Sequence, residues 1–238
     1  MLTFEPLDWD SQFFGMPIAK VALDGADETS LRSVAAEARD AGIVCLYGTL
    51  DSLNVHASVM IQAAGWRLVD VTTTFTLSPD APAIIKPPDT VFRVGTNDDF
   101  DDAVEIAEQM AEWSRFAADP RFGIDAARRL QRSWVERAVG PDENHCLMVA
   151  EQESGLVAII GRVTSPSPRV DAVGTTQRGS GAARYLIEES RAWASPGPLL
   201  GGPIAARNVA ALRYVSHCGY RAGKVDYSFH CWLDENSP

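Results

Sequence analysis

The sequence is short of positive charge. Its 238 residues hold 21 Lys and Arg against 32 Asp and Glu, a net charge of −11. Such a balance argues against a chain that wraps nucleic acid or rests on an anionic membrane, but leaves room for a local basic patch. No apolar run is long enough to span a bilayer, and residues 1–6 hold no basic region, so a cytoplasmic protein is expected. The cysteines, Cys45, Cys146, Cys218 and Cys231, are scattered in apolar runs at spacings that fit no zinc or redox motif. They are expected to be buried, reduced thiols, with no metal bound.

Hydrophobic periodicity divides what is there. Residues 18–23 read as a strand, and 28–41 as a helix with Leu31, Val34, Ala35 and Ala38 on one face and Gly42 as its stop. A buried strand follows at 43–50, a helix at 54–63 closed by Gly65, and a long strand rich in β-branched residues at 67–77. Part of the aromatic stretch from Trp9 to Gly15 is expected to be buried. Residues 78–90 hold Pro79, Pro82, Pro87 and Pro88 and make the best linker candidate. The expected organisation is therefore a lobe at 1–77, a linker at 78–90 and a second domain at 91–238.

In that domain a strand at Phe92 precedes a helix at 98–112, a loop at 114–123 and a helix at 124–138. A hairpin turns about Ser154 and Gly155. Then come a strand at 170–174, a helix at 182–194, a strand at 199–202, a helix at 207–217 and one or two closing strands.

Between the 170–174 strand and the next helix stands Arg178-Gly179-Ser180-Gly181-Ala182-Ala183. A helix N-terminus leaves its first N–H groups unpaired, and its dipole favours anions. Glycines permit the positive φ and the close backbone approach that a phosphate cradle needs. The turn is neither of the common glycine-rich nucleotide loops, and an ordinary strand-to-helix turn would use the same glycines.

Two segments also align without a gap. Asn54-Val55-His56-Ala57 with Gly65-Trp66-Arg67 matches Asn208-Val209-Ala210-Ala211 with Gly219-Tyr220-Arg221, and Gly48 and Gly202 stand equally far ahead. A duplication is expected in which only the second copy keeps the glycine turn, giving one ligand cradle per chain.

Val173 followed by Arg178-x-x-Gly181-x-Ala183, with Asn208-x-x-Ala211 and Gly219-Tyr220 behind it, resembles the GNAT superfamily of acyl-CoA-dependent N-acetyltransferases. Trp9-Asp10-Ser11-Gln12-Phe13-Phe14-Gly15, Ser114-Arg115-Phe116, Asp119-Pro120-Arg121-Phe122 and the ending Tyr227-Ser228-Phe229-His230-Cys231-Trp232 resemble the TDP-fucosamine acetyltransferase group. The resemblance implies an α/β GNAT fold, a mixed, mostly antiparallel twisted sheet flanked by helices, with a partial GNAT-like repeat at the N-terminus. It implies acetyl-CoA as co-substrate, bound by Val173, Arg178, Gly179, Ser180, Gly181, Ala182, Ala183 and Asn208. The acceptor it implies is the amine of a nucleotide-linked 4-amino-4,6-dideoxyhexose. Arg115, Phe116 and Arg121 suit such a diphosphate by charge and stacking.

The superfamily commonly places a tyrosine, as proton donor to the leaving thiolate, where this chain has Val215. Tyr214 is adjacent but about 100° round the helix. General-base candidates are Asp171, His230, Asp119 and Asp10, each with an ordinary structural reading beside it. The readings left open are transfer to an amino sugar, transfer to another small-molecule amine, and CoA binding without transfer. A homodimer through the C-terminal strand is open by analogy.

Overall fold

The computed structural model describes residues 2–233. The chain forms two compact units, Met1–Thr72 with Lys224–Pro238, and Thr73–Gly223. Both crossings fall inside long strands, β4 (Arg67–Leu77) and β10 (Arg221–Trp232). The proline segment is thus not the boundary. It belongs to the second unit, and the C-terminal strand from Lys224 onward belongs to the first.

The first unit holds β1 (Phe4–Pro6), α1 (Asp8–Phe14), β2 (Ile18–Ala22), α2 (Glu28–Asp40), β3 (Cys45–Asp51) and α3 (Val55–Ala63), with strand order β1-β2-β3-β10-β4. β2 and β3 run parallel, joined across α2, while β1/β2 and β3/β10 are antiparallel. Leu31, Val34 and Ala38 of α2 are buried, as their spacing requires. They close on Leu46, Leu50, Ile61, Trp66 and Phe229. β10 has β3 on one side and β4 on the other, so it offers no free edge to a second copy. The aromatic stretch forms α1, which buries no residue fully; Trp9 stacks on Phe13 at 5.0 Å and stays exposed.

The second unit holds β5 (Val91–Val94), α4 (Phe100–Glu108), α5 (Arg115–Ala118), α6 (Gly123–Val139), β6 (His145–Gln152), β7 (Gly155–Val163), β8 (Arg169–Thr175), α7 (Ala182–Ala194), β9 (Leu199–Ala205) and α8 (Val209–His217). Its strand order is β4-β9-β8-β7-β6-β5. β5 through β8 pair antiparallel, and β8/β9 parallel. Strand alternation sorts the core onto two faces. Met148, Ala150, Ala158 and Ile160 meet Leu186 and Ile187 of α7 and Val215 of α8. Leu147, Val149 and Ile159 meet Ala103, Val104 and Ala107 of α4 and Val135 of α6. Each large aliphatic side chain buried this way contributes about 1.5–3 kcal/mol. The helix expected at 98–112 stops at Glu108, and a separate 3-10 turn forms at Ala111–Trp113. The sheets are mixed and mostly antiparallel, flanked by helices.

Residues 78–90 are not a free tether. The chain runs along α7: Arg191 donates to the Pro79 carbonyl, the Ile84 N–H reaches Glu188 Oε2 at 3.4 Å, and Ile84 is buried. Pro87 ends this run beside Gly181.

The duplication is present in three dimensions. α2 and α7 both have thirteen residues, β3 and β9 seven, α3 and α8 nine, and each pair is displaced by one interval (Glu28 to Ala182, Cys45 to Leu199, Val55 to Val209). Asn54 Oδ1 accepts from Ala57 N–H and Asn208 Oδ1 from Ala211 N–H. Gly65 and Gly219 both have φ of 88°, and the next amide, Trp66 or Tyr220, returns to the carbonyl of Ile61 or Val215. These are the same helix cap and the same left-handed helix exit, made twice.

Candidate acyl-CoA cradle

The two copies differ where a ligand would enter. In the first, Asp27 sits at the N-cap of α2, and its carboxylate accepts the Ser30 N–H at 2.7 Å while Ser30 Oγ takes the Asp27 N–H at 3.0 Å. The Ser30 bonds hold the Asp27 carboxyl below the usual carboxylate range. That helix mouth is closed by its own anion. In the second copy the equivalent residue is Gly181, left-handed at φ 82°, and it has no side chain to cap α7. Ser180 Oγ takes only the Ala182 N–H, at 3.3 Å. Among the described residues no N-cap side chain satisfies the amides of Ala183 and Arg184, so this helix mouth is open where that of α2 is closed.

The strands differ as well. β2 and β3 pair at five positions, from Ile18↔Cys45 to Ala22↔Thr49. β8 and β9 pair only at Arg169↔Leu200 and Val170↔Gly201. Past that point the main-chain groups of residues 172–175 facing β9 lack a strand partner. An extended, amide-bearing ligand arm can pair with such an edge. Val173 lies on it, packed against the α7 core. The cradle is therefore an unpaired strand edge leading to an uncapped helix N-terminus. Arg178 and Arg184 at the turn, and Lys86 from the proline segment, are exposed and form no ion pair among the described residues. That supplies the positive patch an acidic chain needs for a phosphorylated ligand.

The other expected residues are distributed unevenly. Asn208 caps α8, and Asn54 makes the same cap in the copy without a cradle, so capping accounts for this asparagine. Strand alternation alone would put Asp171 and Val173 on one side of β8. Instead Asp171 is the extra residue of a bulge, opposite the step from Gly161 to Arg162. Its carboxylate pairs with Arg169 Nε at 2.8 Å, a poor arrangement for a base. His230 lies fully buried on β10 in the first unit, its ring 4.9 Å from that of Tyr47.

Tyr214 packs against the α7/α8 core, and its hydroxyl is buried beside the Cys218 thiol, with no oxygen or nitrogen partner. Burial raises its phenol well above the ordinary range, so it is protonated at neutral pH and can act only as a donor. Val215 is itself in the core.

Burial also pushes Cys218 and Cys231 up to about 11. At pH 8 about one thiol in a thousand is then thiolate. Both should resist iodoacetamide in the native protein and react fully in urea. Rapid native labelling of Cys218, followed by peptide mass spectrometry, would contradict its burial.

The loop expected to meet the acceptor is pre-formed. Ser114 Oγ caps α5 through the Phe116 N–H at 3.2 Å, and the fully buried Asp119 accepts the Arg121 N–H at 3.0 Å. Phe116 is buried, edge-on to Phe122 at 5.1 Å and beneath the Arg115 guanidinium at 4.9 Å. It holds the loop together and is not a surface for a base to stack on. Arg115 and Arg121 are at least partly exposed. Sequence reasoning missed Arg207, which donates to the carbonyls of Glu112 and Ser114 at 2.7 and 3.0 Å. No local pattern marks that contact, because its partners are remote in sequence.

Among the described residues no group of three or more His, Cys, Asp or Glu is placed to hold a metal, and no helix is long and apolar enough to cross a membrane.

No family profile and no curated protein sequence matches the chain. Solved structures do. A functionally unknown protein from Staphylococcus epidermidis ATCC 12228 superposes with a TM-score of 0.68 at 13% identity, over 91% of this chain and 84% of the other. A GCN5-related N-acetyltransferase from Sphaerobacter thermophilus does so at 0.60 and 14%, over 97% and 76%. A tandem GNAT protein from the clavulanic acid biosynthesis pathway, solved without acetyl-CoA, does so at 0.52 and 15%, over 93% and 77%. At these identities the likeness is one of fold, and the fold of this chain is that of the GCN5-related N-acetyltransferases.

Proposed function

We propose that this protein is an acetyl-CoA-dependent N-acyltransferase, acting on the amine of a nucleotide-linked 4-amino-4,6-dideoxyhexose. The observation that carries the acyl-CoA part is the contrast between the two copies. Of the two, only the second has both an uncapped glycine turn and a strand pair that parts after two residues. The sugar rests on the sequence resemblance and on the half-buried Arg115 and the exposed Arg121.

Acetyl-CoA supplies the acyl group as a thioester. The α7 amides, with Arg178 and Arg184, hold its phosphates, and the β8 edge orients its amide-bearing arm. A main-chain N–H at Val173 polarises the carbonyl. The neutral amine attacks the carbonyl carbon, the C–N bond forms and the C–S bond breaks. The amine's surplus proton leaves to water, and the thiolate takes one from Tyr214 or from solvent. A thiol near pKa 8.5 leaves tolerably without acid help, so a proton from Tyr214 is not obligatory. Asp171 and His230 are given no role in it.

Titration with CoA, followed by thiol release from acetyl-CoA with a dTDP-4-amino-4,6-dideoxyhexose and a panel of simple amines, tests the proposal. Absent CoA binding rejects the acyl-CoA reading. Binding with turnover only on other amines rejects the sugar, and binding without any turnover rejects transfer. Tyr214→Phe should lower kcat about 10²–10⁴-fold if the phenol donates, with CoA affinity unchanged. An unaltered kcat removes Tyr214 from the chemistry.

A further inference from the structure

Arg207 immediately precedes the α8 cap at Asn208. Its side chain leaves that turn and reaches back to Ala111–Trp113. Nη1 donates to the Glu112 carbonyl at 2.7 Å and Nη2 to the Ser114 carbonyl at 3.0 Å, while the guanidinium lies 5.8 Å from the Trp113 ring. Both ends of the fork are thus spent on the two carbonyls that flank Trp113. They open the loop that carries Arg115 and Arg121.

The duplication shows that the turn does not need this arginine. The same strand-to-helix turn in the first copy places Leu53 at the equivalent position, 91% exposed, ahead of the same asparagine cap. What the second copy has in addition is the 111–122 loop. That loop is braced internally, with Phe116 edge-on to Phe122 and Asp119 accepting the Arg121 N–H. A forked donor at its root therefore sets the position of the loop relative to the start of α8.

We infer that Arg207 is the positioning residue that fixes the acceptor loop against the acyl-CoA cradle. The inference rests on the proposed function for the meaning of the two sides; the brace itself does not. Attack on a thioester requires the amine within about 3–3.5 Å, and a misplacement of about 1 Å costs on the order of 10²-fold. A residue that sets this spacing governs use of the acceptor while leaving CoA binding alone.

The test is Arg207→Leu, which installs what the other copy tolerates, with Arg207→Lys beside it. Amide hydrogen exchange over residues 111–122 should rise about tenfold or more in the leucine variant, with exchange in α7 unchanged. The KM for the dTDP-4-amino-4,6-dideoxyhexose should rise about tenfold or more, with the acetyl-CoA KM and CoA affinity within about twofold. The lysine variant should recover part of both effects, since one ammonium replaces half of the fork. Unchanged exchange over 111–122 overturns the inference. Equal rises in both KM values overturn it too, because they indicate general damage. If the wild-type protein fails to bind CoA, the acyl-CoA reading falls instead, and the exchange measurement still decides the brace.

Discussion

Replacing Gly181 by Val or by Asp should abolish CoA binding, with a loss in affinity of at least about 100-fold, equivalent to about 2.7 kcal/mol. The two substitutions act differently. Gly181 has φ 82°, where a side chain costs about 1–2 kcal/mol, and a β-branched one strains the turn itself. Aspartate tolerates that region better, but it sets a carboxylate at the mouth of α7, as Asp27 already does for α2. It would compete with phosphate for the same amides by charge and by hydrogen bonding. Ser180→Ala should change affinity by no more than about threefold, since the hydroxyl only occupies the Ala182 amide and binds Gln177 within the turn. Isothermal titration, with circular dichroism to verify the helices, measures all three. An unchanged dissociation constant for Gly181→Asp would refute the cradle.

Val215→Tyr should destabilise the protein by about 1–3 kcal/mol or more and give no gain in rate. By its place in the sequence pattern this is the position where a proton-donating tyrosine would be restored. In the fold Val215 is 6% exposed and packs with Leu186, Ile187 and Tyr220 between α7, α8 and the sheet. A phenol there needs extra volume that the core lacks, and it buries a hydroxyl without a partner. The measurement is a urea denaturation midpoint alongside kcat. A stable variant with a faster reaction would mean that α8 rotates to present this position to the ligand.

The legible parts of the molecule were those decided locally. The α2 and α7 helices, the long strand Arg67–Leu77 and the glycine exits at Gly65 and Gly219 follow from periodicity and from the left-handed residue that ends a helix. The duplication was legible from asparagine, glycine and aromatic residues at equal spacings, because each of them performs a local task, a cap or a turn, that the fold repeats. The turn at Gly179 and Gly181 was legible as a left-handed strand-to-helix turn for the same reason. Phe116 and Asp171 were not. An aromatic beside an arginine looks the same in sequence whether it faces a ligand or its own loop, and a bulge moves a side chain without altering the residue pattern. The proline segment misled in a similar way, because prolines stiffen a chain whether it hangs free or lies along a helix.

By itself, then, the sequence determined the order of the longer strands and helices, the twofold repeat, the acidic character and the glycine turn before α7. Each rests on interactions between residues close along the chain. Only the tertiary structure decided that β8 and β9 part after Gly201, that Asp27 closes the first copy while α7 stays open, that Val215 faces inward, and that Arg207 holds a loop remote in sequence. Those depend on strand register, on the handedness of one residue at a helix mouth and on contacts between distant segments, which no local pattern encodes.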